Sequence, residues 1–346
     1  MISIITTIYK AEAYLPRLLD SMMALKSPEL EFFLIDNGSP DRCGEICAEY
    51  AKKDNRFYLY SLKDNVGYIK ARMLGIRECH GDYVGFCDSD DYLEPGGYDK
   101  AVQIIKEKDC DLYITSYKTH DGDIVNLNNP PFNKGMYEGE AIINCILPQA
   151  FGFLKGRDRL HGFMWKQVYR KSILLYNRFS LNEDLRPWED QILNIDMIQH
   201  CESIFVDDTV IYNYFANSGS VTSSMIKDFD VNDFWRKVKL LYLEKNKRAH
   251  FRSEKRANAN ASILLLDLMV VSLCKNKSLS SNDLVIQLNQ LLKEDPVVNS
   301  VLKDSSNTDL SIRLFFVKFC LRYKFYRFLV LTVRHQLRKK YGIVLN

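Results

Sequence analysis

The sequence predicts an α/β fold, with a mainly parallel sheet wrapped by helices in the first two thirds of the chain and an α-helical C-terminal region after it. Three observations carry this reading. β-Branched and aromatic runs alternate with amphipathic stretches through the first 116 residues, the texture of repeated strand-helix-strand units. Acidic and small polar residues stand directly after those runs, at the strand ends where open α/β sheets bind ligands. From Asp230 onward apolar residues recur almost entirely at three- and four-residue spacing, the period of a helix.

Taken in order, Ile2–Ile8, Glu31–Ile35, Phe57–Ser61, Tyr83–Cys87 and Asp111–Ser116 are short apolar runs and read as strands of a sheet covered on both faces. Between them Ala13–Leu25, Cys43–Lys53, Tyr68–Cys79 and Tyr98–Lys108 carry helical spacing, so right-handed crossovers are expected. Lys118–Lys134 is rich in Asp, Gly, Asn and Pro and reads as a hairpin or loop. Gly139–Leu147, Lys171–Tyr176 and Trp188–Gln199 look helical, and Ser203–Val206 and Val210–Tyr214 look like two short strands. Helices are then expected over Phe234–His250, Lys255–Leu273, Asn282–Lys293 and Leu310–Lys340, with breaks at Asn276–Ser281 and Glu294–Asp309. A boundary near Ser224 divides residues 1–224 from a helical region, 225–346.

With 346 residues, 47% apolar and 12% aromatic, the chain has ample length for a buried core, which excludes a disordered or fibrous protein. Its net charge of +3 is unevenly spread. Nine Lys or Arg and no Asp or Glu lie between Ser311 and Asn346, leaving 38 basic and 44 acidic residues before them. An acidic body carries a basic tail. The nine cysteines are odd in number and sit mostly in apolar runs; Cys43 and Cys47 stand one helical turn apart, without the paired spacing of a zinc site. Reduced, buried thiols and a cytoplasmic location are expected. No cationic leader precedes Ile2–Ile8, and Leu314–Val333 is interrupted by Lys318, Arg322, Lys324 and Arg327, so neither a secretory signal nor a membrane span is expected.

The strand ends bring together Thr6, Thr7, Ile8 and Tyr9, then Asp36-Asn37-Gly38-Ser39, Asp64-Asn65-Val66-Gly67 and Asp88-Ser89-Asp90-Asp91. A dinucleotide fingerprint would need glycines that Thr6–Ala11 does not have. Asp88 and Asp90, two apart, project to one side. Such carboxylates suit a hard divalent cation completed by phosphate oxygens. The competing reading is an acidic turn that stops a strand and caps the next element.

Taken together, these motifs resemble the inverting GT-A glycosyltransferases of family 2. Ser3-Ile4-Ile5 through Tyr9, followed by Glu12-Ala13-Tyr14-Leu15, resembles that family's first strand and helix. Asp36-Asn37-Gly38-Ser39-Pro40-Asp41 resembles its Asp-Asp-Gly-Ser-x-Asp; Asn65 through Gly75, with Arg72 in place, resembles its Asn-x-Gly-x-x-x-Ala-Arg segment. Gly81-Asp82-Tyr83 through Asp88-Ser89-Asp90-Asp91 resembles its Asp-x-Asp strand end. Trp165 to Arg170, the Glu189-Asp190 pair and Tyr214 through Thr222 resemble later motifs more loosely. Lys10, Asn37 and Met73 depart from the pattern, standing where the family has Asn, Asp and Asn.

The resemblance implies that the first domain divides into a nucleotide-binding half, 1–116, and an acceptor half, 117–224. It also implies that Thr7, Tyr9 and Asp36 hold a uracil, with Glu12, Arg72, Asp88 and Ser89 completing the donor site. Asp90, with Asp88, is implied to ligate Mn²⁺ or Mg²⁺, and Asp91 to orient metal or acceptor. By the same resemblance Asp190 is the base that deprotonates the acceptor hydroxyl, at the start of a helix whose dipole tolerates its charge; Asp184, in another Glu-Asp pair, is its rival. Glu189 and Asp190 could instead simply populate the first turn of a helix. His161, Trp165, Trp188 and Glu189 are acceptor candidates; a Trp or a lone His is also commonly a core residue.

The implied activity is metal-dependent inverting transfer from a UDP-sugar to a glycan, lipid-linked acceptor, in surface polysaccharide synthesis of capsule or O-antigen type. A catalytically silent nucleotide-sugar-binding or scaffold subunit is the alternative, supported by Lys10 and Asn37. Lys324, Arg327, Leu331, Arg334 and Arg338 recur along one helix face, with Phe325, Tyr326, Leu329, Val330, Val333 and Leu337 opposite. That basic, aromatic-rich helix reads as a contact for anionic membrane at the inner face of the cytoplasmic membrane, or as a core or oligomer-contact helix with a solvated basic face. Nucleic acid is not expected, because the body is acidic and no recognition motif is present.

Overall fold

The computed structural model describes residues 1–147, 162–176, 189–215, 252–276, 278–293, 295–305 and 312–341, with scattered positions between 232 and 243 and at 307 and 310. At the sheet's centre lie β1 (Ile2–Ile8) and β2 (Leu30–Asp36), in which every side chain but that of Thr7 is buried. Continuous burial is what a parallel strand with helices on both faces requires. β3 (Phe57–Ser61) pairs parallel with β2, and β4 (Tyr83–Phe86) parallel with β1. The covering helices α1 (Leu15–Met23), α2 (Cys43–Lys53), α3 (Tyr68–Glu78) and α4 (Gly97–Lys108) fall where the apolar spacing places them. Helix α3 rides so close to β1 that a Cβ on Gly75 would stand 2.5 Å from Ile5 Cγ2.

Beyond β4 the sheet is mixed. A two-residue strand, β5 (Tyr92–Leu93), precedes α4, and β6 (Leu112–Asp121) follows it. β6 turns back through β7 (Ile124–Asn128), so Lys118–Lys134 does contain a hairpin. After β8 (Gly135–Glu138), the stretch expected to be helical contains one π-helical turn, Ile142–Ile146. β9 (Gln167–Arg170) inserts antiparallel between β4 and β6, followed by α5 (Lys171–Tyr176) and α6 (Glu189–His200). The expected pair of short strands is one strand, β10 (Ser203–Phe215), parallel to β6. The polar gap between them is a register shift after Val206, where Asp207 accepts from the Asp208 N–H and the Thr209 hydroxyl. The order across the sheet is β3-β2-β1-β4-β9-β6-β10-β5, with β7 on β6 and β8 on β10.

The described residues fall into two compact units, the second holding those from 232 onward. Its centre is α7 (Arg252–Lys275), packed by α8 (Ser281–Leu292), α9 (Pro296–Asp304), α10 (Ile312–Arg322) and α11 (Tyr326–Tyr341). Part of α7, Asn258–Lys275, is long and apolar enough to cross a membrane, but 88% of it is buried inside the protein. It also carries Asp267, bound by Arg313 through Nε at 2.6 Å and Nη2 at 2.9 Å. The expected helix Phe234–His250 lies mostly outside the described residues.

Two expectations for the tail are corrected. Leu310–Lys340 is not one helix: it breaks at Lys324, whose φ is +58°. Nor is the basic stripe wholly solvated: Arg327, Leu331 and Arg338 are exposed, but Arg334 faces inward. Arg334 is 2% exposed and donates to Ser281 Oγ and to the carbonyls of Asn276 and Leu279. Of the residues read on the face opposite that stripe, Tyr326, Leu329, Val330, Val333 and Leu337 are buried and Phe325 is 49% exposed.

The amino ends of the central strands are tied by Glu31. Its buried carboxylate accepts from the Ser3 hydroxyl and from the His80 and Gly81 N–H groups, and meets His80 Nδ1 at 2.9 Å. Burial acts to raise its pKa, but these hydrogen bonds outweigh it and hold the carboxyl below its ordinary value. Stability from such a group is present above the unfolded pKa and lost as pH falls through the folded one. Glu31→Gln should therefore cost about 1–3 kcal/mol at neutral pH. Denaturant unfolding of both proteins at decreasing pH should show the difference shrinking below about pH 4.3.

Candidate active site

The carboxyl ends of β1, β2, β3 and β4 present their polar loops along one edge. After β1, Thr7 is half-buried and Tyr9 is 42% exposed. Lys10 turns the chain at φ +54° and sets its ammonium 5.3 Å from the Tyr9 ring. After β2, Asp36 is buried and accepts from the Ser39 N–H at 3.0 Å. Gly38 sits at φ +67° against the Asp64–Asn65 backbone, where a Cβ would come within 2.6 Å, so the close approach of the two loops demands glycine. Asn37 joins them: its Nδ2 donates to Asn65 Oδ1 at 3.1 Å and its Oδ1 accepts from the Val66 N–H at 3.0 Å.

The acidic turn follows β4. Asp88 and Asp90 are half-buried, with Ser89 between them, and Arg17 of α1 donates to the Asp90 carbonyl at 2.6 Å. Burial raises the Asp88 pKa, Arg72 offsets part of this, and the charges of Asp90 and Asp190 add to it, leaving the carboxyl at about 6. Asp91 is closed inside the turn, accepting from the Tyr212 hydroxyl at 2.7 Å and the Phe215 N–H at 2.7 Å. It ties β10 to the turn with both oxygens engaged by the protein. Tyr212 also receives the Asp88 N–H at 3.1 Å. Burial first, then the charge of Asp88, pushes the Asp91 carboxyl up to about 8.

Opposite the turn stands Asp190, in the first turn of α6. Arg72, 4% exposed, connects the two sides: Nη1 donates to Asp190 Oδ1 at 2.9 Å and Nη2 lies 3.5 Å from Asp88 Oδ1. The guanidinium is held over Phe86 and Tyr68 at 5.1 and 4.9 Å, and Nη1 also touches Met164 Sδ at 3.1 Å. Asn194, four residues beyond Asp190, fixes α6 by donating to the Gly162 and Asp190 carbonyls while accepting from the Tyr169 hydroxyl.

The remaining candidates divide. Trp165 is 4% exposed, stacked at 4.3 Å on Tyr212 and at 5.0 Å on Phe163, whose own ring is 40% exposed. The outward aromatic surface at this point is thus Phe163. Glu12 accepts from the Arg42 N–H at 3.1 Å, capping α2. Asp184, His161 and Trp188 lie outside the described residues, as does the side chain of Glu189. Sequence reasoning missed Tyr212, Asn194 and Phe163; a buried amide on the apolar face of α6 was the available signal for Asn194.

Among the described residues no group of three His, Cys, Asp or Glu converges as a complete metal cage. The donor set at Asp88 and Asp90 nevertheless fits a cation of the Mg²⁺ or Mn²⁺ type, which takes one or two carboxylates and fills its other positions with phosphate and water.

A parallel sheet edge with an acidic turn, faced by a carboxylate on a separate helix, defines the GT-A class of fold. Residues 3–169 match the model for Glycosyl transferase family 2, and the chain carries a domain of that family. It is similar to the uncharacterized glycosyltransferase EpsJ of Bacillus subtilis, 26% identical over 222 residues that make up 64% of this chain and 63% of that protein. Similarity to glycosyltransferase GlyG of Streptococcus pneumoniae is 25% over 232 residues, 67% of this chain and 75% of the relative. The match to EpsJ thus spans less than two thirds of that protein. Among solved structures, TarS 1–349 of S. aureus has a TM-score of 0.69 at 20% identity, covering 100% of this chain and 93% of that one. Its complex with UDP-GlcNAc gives 0.66 at 22%, over 98% and 91% of the two chains. At such identities the likeness concerns the fold.

Tyr212→Phe tests the internal ties of the acidic turn. It removes one donor to Asp91 and the acceptor of the Asp88 N–H, and should lower stability by about 1–3 kcal/mol, read as a shift in the denaturant midpoint.

Proposed function

We propose that this protein is an inverting glycosyltransferase that moves a sugar from a UDP-sugar to a hydroxyl of a glycan acceptor. The observation that carries the proposal is the Arg72 bridge, which holds Asp190 against the acidic end of β4. The acceptor oxygen attacks the anomeric carbon from the face opposite the nucleotide, and its proton passes to the Asp190 carboxylate. The bond from that carbon to the phosphate oxygen breaks, and its electron pair leaves with UDP. Tyr9, Thr7 and Asp36 bind and orient the uridine; Arg72 positions the base. Bound at Asp88 and Asp90, Mn²⁺ or Mg²⁺ would supply charge neutralisation for the leaving diphosphate.

The acceptor class is a lipid-linked glycan of surface polysaccharide synthesis. Support comes from relatives whose names carry such roles, among them a putative teichuronic acid biosynthesis glycosyltransferase, 27% identical over 142 residues. The basic C-terminal region suits a peripheral position on the cytoplasmic leaflet, next to such an acceptor.

Asp190→Asn should lower kcat for sugar transfer at least about 100-fold, with UDP affinity by calorimetry unchanged. An active Asp190→Asn beside an inactive Asp184→Asn would move the base to Asp184. Asp90→Ala should abolish Mn²⁺-dependent UDP binding, and chelation by EDTA should do the same to the wild-type chain; transfer that survives both would overturn the metal assignment.

A further inference from the structure

The C-terminal unit carries a surface that neither its own packing nor the transfer reaction uses. α10 and α11 meet at a tight corner around Lys324. Phe315, Phe319, Tyr323, Phe325, Phe328 and Leu331 around it are 41% to 56% exposed. Three of the rings form a cluster: Phe319 lies 4.8 Å from Tyr323 and 5.9 Å from Phe325, and Tyr323 lies 6.2 Å from Phe325, while Phe328 packs edge-on against Phe316 at 5.4 Å. An open groove runs from this cluster to Val285 and Asn289 of α8. Exposed apolar surface of this kind, rimmed by charge, marks a contact site.

Charge decides the occupant. Arg322, Lys324 and Arg327 are exposed among the rings and have no carboxylate partner among the described residues. No Asp or Glu occurs anywhere in residues 311–346. A symmetric contact with a second copy would set this basic face against itself. An anionic bilayer takes both features, with aromatic rings at the headgroup boundary and cations on lipid phosphates.

The backbone adds an independent observation. The corner is a helix stop in which the Phe325 N–H donates to the Cys320 carbonyl at 2.8 Å and the Lys324 N–H to that of Leu321 at 3.3 Å. Lys324 itself adopts φ +58°, a conformation that favours glycine. A lysine held there keeps an ammonium at the apex against local conformational preference, the kind of local cost that points to a function.

We propose that the α10–α11 corner docks on anionic phospholipid, its rings entering the headgroup boundary and Arg322, Lys324 and Arg327 engaging lipid phosphates. This rests on the membrane contact proposed above and narrows it to the corner: Lys324 and Arg327 are kept from the basic stripe read from the sequence, Arg322 and the exposed rings are added, and the buried Arg334 drops out.

The test is co-sedimentation of the full chain with vesicles of phosphatidylglycerol and phosphatidylcholine, against phosphatidylcholine alone, without donor or acceptor. Binding should require the anionic lipid and weaken with salt. Lys324→Glu with Arg327→Glu should reduce it at least ten-fold, since each basic residue near such a surface contributes about five-fold, or about 1 kcal/mol. Phe325→Ser with Phe328→Ser should weaken it comparably while melting near the wild-type temperature, because both rings are exposed. Lys324→Gly should raise the melting temperature yet bind vesicles about five-fold less. Asp190→Asn should bind as wild type, so a failure of docking and a failure of the transfer chemistry are separately visible. Binding indifferent to these corner substitutions, or no preference for the anionic lipid, would overturn the proposal. So would self-association lost in Phe325→Ser without any uptake by vesicles, which would give the face to a second copy.

Discussion

The site depends on one buried guanidinium. Arg72 stands between two carboxylates that would otherwise repel each other across the acidic edge, and its attachment to both is what places the first turn of α6 opposite the end of β4. Its own position is over-determined by Phe86, Tyr68 and Met164. A lysine could supply the charge but not the fork that reaches two acids at once. The helix bearing Arg72 is in turn seated by the close packing of Gly75 on Ile5. The chain of cause runs from a missing Cβ to the placement of the proposed base.

Much of this was legible in the residues. β1 and β3 span the same residues as their apolar runs, and α2 and α5 the same as their predicted helices, because local period and local structure coincide there. The acidic edge could be read because ligand sites follow from strand polarity in a parallel sheet. Sheet order could not: β9 enters between β4 and β6 from about 80 residues downstream of β4, and nothing in Gln167–Arg170 names its neighbours. The corner at Lys324 was invisible for a different reason. Sequence reading looks for glycine at a left-handed position, and a lysine occupies it.

Two of the three residues that depart from the family pattern, Lys10 and Asn37, have physical roles in this fold. Lys10 adopts a left-handed conformation, which asparagine tolerates more readily than most side chains, so the loop keeps its shape while gaining a cation beside Tyr9. Asn37 uses both ends of its amide, giving to Asn65 and receiving from Val66. An aspartate there could only receive.

That amide also governs how the edge behaves in acid. Asp88, with its carboxyl at about 6, changes charge within the physiological range, whereas a carboxamide does not titrate at all. The fastening between the loops after β2 and β3 therefore holds its hydrogen bonds at any pH that leaves the sheet folded. Protonation of Asp88 therefore leaves the loops beside it buckled.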